Sequence, residues 1–105
     1  MISPDATRVR IGSLHDLPLR EGRAVTVAGE RIAVFRCDGA VRAVSNACPH
    51  AGGPLADGVV AGHTVTCPLH MRVVDLCTGV VSDCAERVRV FDVVVEEGEI
   101  YLLRP

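Results

Sequence analysis

The sequence predicts an all-β protein built from short antiparallel strands. Apolar residues make up 49% of the 105-residue chain but aromatic residues only 3%, so valine, leucine and isoleucine must supply nearly all of the core. β-Branched side chains favour strands. Short apolar segments alternate with turn signals, and no segment has the period of a long helix. We therefore expect a β-sandwich or barrel-like fold in one domain, residues 1–105.

The N-terminal half has the pattern of a strand, one helical turn and a three-stranded meander. Residues 8–11 alternate between polar and apolar, and residues 13–16 have the spacing of a capping box, which predicts a helical turn that Pro18 ends. Turn signals at Ala28-Gly29 and Asp38-Gly39 separate the next strands. These strands are predicted at residues 24–27, 31–36 and 40–44.

The pattern breaks over residues 46–62, which contain two prolines and four of the ten glycines. This composition predicts an ordered loop. Strands are predicted again on both sides of a second irregular run and near the C-terminus, at residues 64–66, 72–76, 88–95 and 100–103. The arm from about residue 45 to 83 is expected to be an insertion between strands of one sheet system, that is, a subdomain rather than a separate domain.

Two short runs carry the metal-binding chemistry, Cys48-Pro49-His50 and Cys67-Pro68-Leu69-His70. Each run offers one thiolate and one imidazole, a donor set that suits iron–sulfur clusters, copper or zinc but not calcium or magnesium. In a two-iron cluster with both cysteines on one iron and both histidines on the other, two neutral imidazoles replace two thiolates. The cluster is then less negative and accepts an electron more easily.

These runs resemble the two ligand loops of Rieske-type [2Fe-2S] proteins. The resemblance extends to Gly52-Gly53-Pro54-Leu55 after the first run and to Asp75-Leu76, Thr78 and Gly79 after the second. It implies a Rieske-type antiparallel β-sandwich with an inserted cluster-binding subdomain, and one-electron transfer without catalysis by the chain alone. Carried over to this sequence, the family pattern makes Cys48, His50, Cys67 and His70 the metal and cofactor ligands.

Within the soluble Rieske proteins, residues 32–36, 48–58 and 65–70 look most like the small subunit of assimilatory NAD(P)H-dependent nitrite reductase. That resemblance covers about residues 17–103 and implies a large flavin and sirohaem subunit as the redox partner. The ferredoxins of aromatic-ring dioxygenases share the ligand loops and are the alternative. They usually follow the Thr-Gly pair with a proline-containing loop, and residues 80–84 contain no proline.

A structural zinc site in an interaction module is the alternative outside the redox class. Such a site would use the same four side chains, but the one-residue spacing between Cys48 and His50 differs from the two to four residues usual between zinc ligands. His15 and His63 have no cysteine nearby in sequence and are expected to be turn or surface residues. Cys37, Cys77 and Cys84 are expected to be buried and reduced.

Charge and hydropathy exclude several classes of partner. A net charge of −2, a pI near 6.0 and no basic cluster leave nothing to bind a nucleic acid or an anionic membrane. No run reaches the roughly 18 apolar residues of a membrane span, and a soluble, cytoplasmic protein is expected. The odd count of five cysteines argues against a disulfide framework. The charge-poor 46–62 stretch, with Pro68 and Leu69, predicts an apolar docking surface for a partner protein.

Overall fold

The computed structural model describes residues 7–37, 39–46, 54–68, 71–82 and 85–104. Within those ranges the chain forms nine strands and two short 3-10 turns, at Leu14–Asp16 and Leu55–Asp57. The strands are β1 (Thr7–Ser13), β2 (Gly22–Val27), β3 (Glu30–Cys37), β4 (Ala40–Ser45), β5 (Val59–Ala61), β6 (Thr64–Thr66), β7 (Val73–Asp75), β8 (Val90–Glu96) and β9 (Glu99–Arg104).

Six strands form one antiparallel sheet in the order β1-β9-β8-β4-β3-β2. The hairpins β2–β3 and β8–β9 turn through Ala28-Gly29 and Glu97-Gly98, and all four residues have positive φ between 52° and 82°. Two successive left-handed residues make a type I′ turn, whose twist matches that of the strands it joins. The antiparallel all-β fold expected from the sequence is confirmed.

The remaining strands form a small antiparallel sheet in the order β5-β6-β7. In sequence it lies between β4 and β8, yet these two strands pair directly through Ala43 with Phe91 and Val44 with Val90. The chain therefore leaves the large sheet after Ser45, builds the small sheet, and returns at Val90. The small sheet is inserted between two adjacent strands of a sandwich, as the sequence predicted.

The large sheet folds over on itself around a first core. Side chains from both halves of the sheet meet there, including Ile32 and Val34 of β3 and Ile100 and Leu102 of β9. Few aromatic residues are available, so β-branched and leucine side chains fill this core, as the composition predicted.

A second core lies between β3 and β4 of the large sheet and the inserted small sheet. Ala33 and Phe35 of β3 belong to it, together with Val65 of β6 and Val74 of β7. Because side chains alternate between the faces of a strand, β3 contributes to both cores. Residues 32–35 have at most 3% of their surface exposed. One face of this strand is therefore buried in the first core and the other face in the second core.

Ion pairs lie on the exposed surface of the large sheet. The Arg10 guanidinium donates to the Glu99 carboxylate at 3.1 and 3.3 Å, which raises the pKa of Arg10. Arg89 lies 3.3 Å from Glu30. All four side chains are in contact with water, so these pairs contribute little to stability.

Two details of the elements test the sequence analysis. The helical turn at residues 14–16 is confirmed as a 3-10 turn, and Ser13 Oγ accepts a hydrogen bond from the His15 amide. The prediction that residues 46–62 form only a loop is wrong, since the 3-10 turn Leu55–Asp57 and strand β5 lie within it. Val60 is buried and pairs with Val65, which is why this segment becomes a strand.

The described part of the chain contains no helix long and apolar enough to cross a membrane.

Candidate metal centre

Of the four predicted ligands, Cys67 lies within the described residues. It directly follows β6, where the small sheet ends. Cys48, His50 and His70 lie outside the described residues, so the assembly of the four side chains stays a prediction. The structure does describe the segments that enter and leave both ligand runs, and these segments fix where the runs begin and end.

Cys67 is fully buried, with 0% of its surface exposed, and its thiol is not in a disulfide. It belongs to the second core, together with Leu55, Val65 and Val74. An apolar setting excludes water and favours a thiolate only when a metal or another positive charge compensates for it. The site therefore suits a buried cysteine ligand on the protein side of a metal centre.

The second ligand run is closed at its base by two main-chain hydrogen bonds. The Cys67 amide donates to the Arg72 carbonyl at 2.7 Å, and the Met71 amide donates to the Cys67 carbonyl at 3.0 Å. Met71 has a left-handed backbone with φ of 57°, and 71% of its surface is exposed. The run that contains His70 thus starts and ends at the same point of the small sheet.

The first ligand run is closed at its base by Asn46. The Asn46 carbonyl accepts a hydrogen bond from the Leu55 amide at 2.9 Å, and its side-chain Oδ1 accepts one from the Ala56 amide at 2.9 Å. The Asn46 amide donates to the Arg31 carbonyl at 3.1 Å, which ties this point to β3. The chain therefore enters the first ligand run at Asn46 and leaves it at Leu55, and these two residues are hydrogen-bonded to each other.

The two loop bases pack directly against each other. Gly58, just after the 3-10 turn that follows the first run, approaches Thr66 so closely that a Cβ on Gly58 would lie 2.3 Å from the Thr66 carbonyl oxygen. Thr66 immediately precedes Cys67. Leu55 and Cys67 are both fully buried in the second core. The described residues beside the two ligand runs therefore pack together in one core.

A third segment, residues 80–82, is hydrogen-bonded to β7, the strand that follows the second ligand run. The Ser82 amide donates to the Val73 carbonyl at 2.9 Å, and the Val73 amide donates to Ser82 Oγ at 2.9 Å. The Arg72 side chain adds a bond from Nη1 to the Ser82 carbonyl at 3.0 Å. This segment includes the residues without proline that distinguish the two soluble families in the sequence analysis.

The turn between β7 and the third segment is organised by Asp75. Its Oδ1 accepts hydrogen bonds from the amides of Cys77 at 2.8 Å and Thr78 at 3.1 Å. The Gly79 amide donates to the Asp75 carbonyl at 2.7 Å. A carboxylate that accepts from the following amides is an Asx turn, which explains the Asp75-Leu76, Thr78 and Gly79 pattern in the sequence.

The structure confirms the predicted burial or exposure of most of the other described cysteines and histidines and corrects that of Cys77. Cys37 is buried as predicted, but the prediction that Cys77 is buried is wrong, because the Asx turn of Asp75 directs this residue to the surface. His15 is exposed on the first 3-10 turn, as expected. His63 lies in the β5–β6 turn, also as expected, and its carbonyl accepts a bond from the Leu76 amide at 2.9 Å. Cys84 lies outside the described residues.

The donor set and its setting together fit an iron–sulfur cluster. Two thiolates and two imidazoles are soft and borderline donors, and the thiol that the structure describes is buried, free and surrounded by aliphatic side chains. The donor types in the sequence and the buried thiol of Cys67 therefore fit a [2Fe-2S] group.

Comparison with known proteins identifies the family. Residues 7–94 match the Rieske [2Fe-2S] domain. The ferredoxin subunit of anthranilate 1,2-dioxygenase from Burkholderia cepacia is 37% identical over 81 residues, covering 73% of this chain and 74% of that protein.

Two solved structures show how closely the folds agree. The ferredoxin of carbazole 1,9a-dioxygenase from Nocardioides aromaticivorans IC177 has a TM-score of 0.85 at 36% identity, covering 95% of this chain and 99% of that chain. A protein assigned as the small subunit of an NADH-dependent nitrite reductase from Mycobacterium tuberculosis has a TM-score of 0.86 at 26% identity, covering 95% and 96%. This chain therefore belongs to the Rieske [2Fe-2S] domain family, and its membership confirms the cofactor and the electron-transfer role expected from the sequence.

Proposed function

We propose that the chain holds its [2Fe-2S] cluster with Cys48, His50, Cys67 and His70. The observation that carries this proposal is the pair of adjacent loop bases, one closed by Asn46 and one by the Cys67–Arg72 bond, on a single buried core. Cys48 and Cys67 anchor the iron nearer the core, in keeping with the full burial of Cys67. His50 and His70 hold the outer iron.

When bound, the cluster takes up and releases one electron at a time, at a potential of about −150 to +300 mV for a two-histidine cluster. The chain's own residues perform the remaining tasks. The aliphatic second core excludes water from the cysteine side, and the closed loop bases keep the ligand positions alike in both oxidation states, which lowers the cost of reorganisation.

A direct test compares two cysteine substitutions. Cys67→Ser is expected to remove the cluster, whereas Cys77→Ser, which changes an exposed thiol in the Asx turn, is expected to leave iron and sulfide at two of each per chain. The unaltered protein should be red-brown and, once reduced, show an electron paramagnetic resonance signal of low average g value. If the protein were colourless and contained stoichiometric zinc but no sulfide, the site would be a structural zinc site and the proposed redox role would be wrong.

For the partner, the proposal is a large flavin and sirohaem subunit of an assimilatory NAD(P)H-dependent nitrite reductase, which would make this chain its electron-transferring small subunit. Support comes from the 48–58 run, from the third segment without proline, and from the similarity over 95% of the chain to the Mycobacterium tuberculosis protein. A cytoplasmic location belongs to the same proposal, because the reduced thiols of Cys67 and Cys77 fit a reducing compartment.

The second candidate is the ferredoxin component of an aromatic-ring dioxygenase system. The specific observation in its favour is sequence identity, which is 36–37% to the two dioxygenase ferredoxins against 26% to the nitrite reductase subunit. Both candidates use the same cluster and differ in the lifetime of the complex. A subunit remains bound to its large partner, whereas a ferredoxin binds a reductase and an oxygenase in turn.

The outer face of the small sheet supplies a contact surface for either partner. Val59, Thr66 and Val73 are cross-strand neighbours on this face, and Val59 and Val73 are exposed. Met71 lies at the same end of the sheet and is also exposed. Apolar side chains beside a redox centre suit docking of another protein.

Size-exclusion chromatography of the protein with each purified partner separates the candidates. The nitrite reductase proposal expects a stoichiometric complex with the flavin and sirohaem subunit that persists at micromolar concentration. It also expects nitrite-dependent oxidation of NAD(P)H to require this chain. Rapid, second-order electron transfer to a dioxygenase, with no stable complex and no effect on nitrite reduction, would establish the ferredoxin role instead.

A further inference from the structure

Asn46 stands out because among the described residues it is the one polar or charged residue that is buried, with 8% of its surface exposed. Burying an amide costs free energy unless its polar atoms are hydrogen-bonded. The bond from the Ala56 amide to Oδ1, at 2.9 Å, compensates for part of that cost. A buried asparagine with a specific partner fixes a local arrangement that an apolar residue of similar size would not.

Asn46 connects three segments that are distant in sequence. Its amide donates to the Arg31 carbonyl on β3, and its carbonyl accepts from the Leu55 amide. Its side chain reaches one residue further, to Ala56. The entry and the exit of residues 47–53 are therefore fixed to each other and to the shared strand β3 by one residue.

This position limits where Cys48 and His50 can be. Two residues of extended chain span at most about 7 Å, and four span at most about 14 Å. Cys48 follows Asn46 by two positions and His50 by four. Asn46 is bonded to Arg31, Leu55 and Ala56 and therefore lies beside the second core. The proposed ligand set needs Cys48 and His50 to come within that reach of Cys67.

The second ligand run offers a contrast. Its base is closed by main-chain bonds of Cys67 with Arg72 and Met71, which substitution of a side chain does not remove directly. The first run has one main-chain bond, from the Leu55 amide to the Asn46 carbonyl, and a second bond that depends on a side-chain acceptor, Asn46 Oδ1. A substitution at Asn46 therefore changes the closure of one ligand run while the closure of the other is preserved.

We propose that Asn46 is a positioning residue for the [2Fe-2S] cluster: its side-chain bond to the Ala56 amide holds the first ligand run closed and thereby slows loss of the cluster. This inference rests on the proposed ligand set of Cys48, His50, Cys67 and His70. Asn46 acts through the loop and does not itself contact the iron. Removing Oδ1 leaves the buried Ala56 amide without its acceptor.

The test uses the cluster-loaded protein and four variants. Asn46→Ala removes the acceptor, Asn46→Ser leaves a hydroxyl too short to reach Ala56, and Asn46→Asp retains an oxygen in place of Oδ1. Val34→Ala destabilises the first core, away from both ligand runs, and serves as a control for general loss of stability. Iron and acid-labile sulfide are measured for each protein, together with bleaching of the cluster in excess chelator and the electron paramagnetic resonance spectrum.

The expected result is selective. Asn46→Ala and Asn46→Ser should lose the cluster about tenfold faster than the unaltered protein, which corresponds to an unsatisfied buried amide, and their resonance lines should broaden. Asn46→Asp keeps the acceptor but buries a carboxylate, so its rate should fall between those of the unaltered protein and Asn46→Ser. Val34→Ala should unfold at lower urea concentration yet also stay within about twofold. If Asn46→Ala does not fold, Asn46→Ser provides the same comparison.

Equal rates of cluster loss in Asn46→Ser and Val34→Ala would overturn the role of Asn46, as would an Asn46→Asp protein no better than Asn46→Ser. Neither result would affect the ligand set. An unaltered protein without iron and sulfide, or a Cys67→Ser protein that keeps its full cluster, would instead overturn the ligand assignment on which the inference rests. The two failures are therefore distinguished by measurements on different proteins.

Discussion

The main-chain amide of Met71 donates a hydrogen bond to the carbonyl oxygen of Cys67 at 3.0 Å, and to do so Met71 adopts a left-handed backbone with φ of 57°. A side chain other than glycine costs about 1–2 kcal/mol in this conformation. The Met71 side chain is exposed, so little of that cost is regained by packing. The turn is thus held by a strained residue beside a predicted ligand, His70.

Met71→Gly is therefore expected to stabilise the fold, by about 0.5–1 kcal/mol once the greater entropy of glycine in the unfolded chain is subtracted. Met71→Ala is the matched control, because it removes the same exposed side chain but keeps the Cβ. The midpoint of urea unfolding measures both. A Met71→Gly protein no more stable than Met71→Ala would show that the backbone of this turn carries no strain.

Asp75→Ala is expected to lower the free energy of unfolding by about 1–2 kcal/mol, because the amides of Cys77 and Thr78 lose their acceptor. Asp75→Asn keeps an oxygen in the Oδ1 position and should retain most of the stability. Equilibrium unfolding in urea compares the two. Equal destabilisation by both substitutions would indicate that the charge of Asp75, rather than its hydrogen bonds, stabilises the turn.

Cys77 is expected to react with iodoacetamide in the folded protein, and Cys37 only after unfolding, because Cys77 is exposed and Cys37 is buried. Peptide mapping by mass spectrometry before and after denaturation gives the extent of alkylation at each site. The protection of Cys37 should exceed that of Cys77 by more than about a hundredfold, since it requires global opening of a stable domain. Equal labelling of the two in the folded state would contradict the structure.

The same Val→Ala change placed in each core should separate stability from cluster retention. Val34→Ala in the first core and Val65→Ala in the second each remove two buried methyl groups and should cost about 1–3 kcal/mol. Val65 lies two residues before Cys67, so only Val65→Ala is expected to accelerate loss of the cluster to a chelator. Identical rates would mean that the two cores act as one support for the ligand runs.

Much of the fold could be predicted because its signals are local. Alternating side chains identify the long strands, and Ser13 before Leu14–Asp16 marks the 3-10 turn. Strand β5 could not be predicted, because Val59–Ala61 lies between Gly58 and Gly62 in a Gly- and Pro-rich stretch and becomes a strand only by pairing with β6. The order of the strands in the large sheet depends on non-local pairing, which no local pattern reports.

The same distinction between local and non-local signals applies to the candidate site. The Cys and His runs were visible from residue types and spacing alone, and Cys67 is buried as an inner ligand should be. The exposure of Cys77 was missed because it follows from the hydrogen bonds of Asp75, not from the character of cysteine. Asn46 was also missed, although an asparagine just before a Gly- and Pro-rich stretch is a signal for side-chain to main-chain bonding. Its partner Ala56, ten residues later, could be found only in three dimensions.

The double burial of β3 has a consequence for how this protein diverges from its relatives. Each substitution between Ile32 and Phe35 must suit either the sandwich or the inserted sheet, because these positions have no solvent-facing side. Changes that suit a new redox partner are therefore expected at exposed positions such as Val59, Met71 and Val73, and not in the buried strand β3. Substitutions that alter recognition of a partner protein can therefore be made at these exposed positions without disturbing either core.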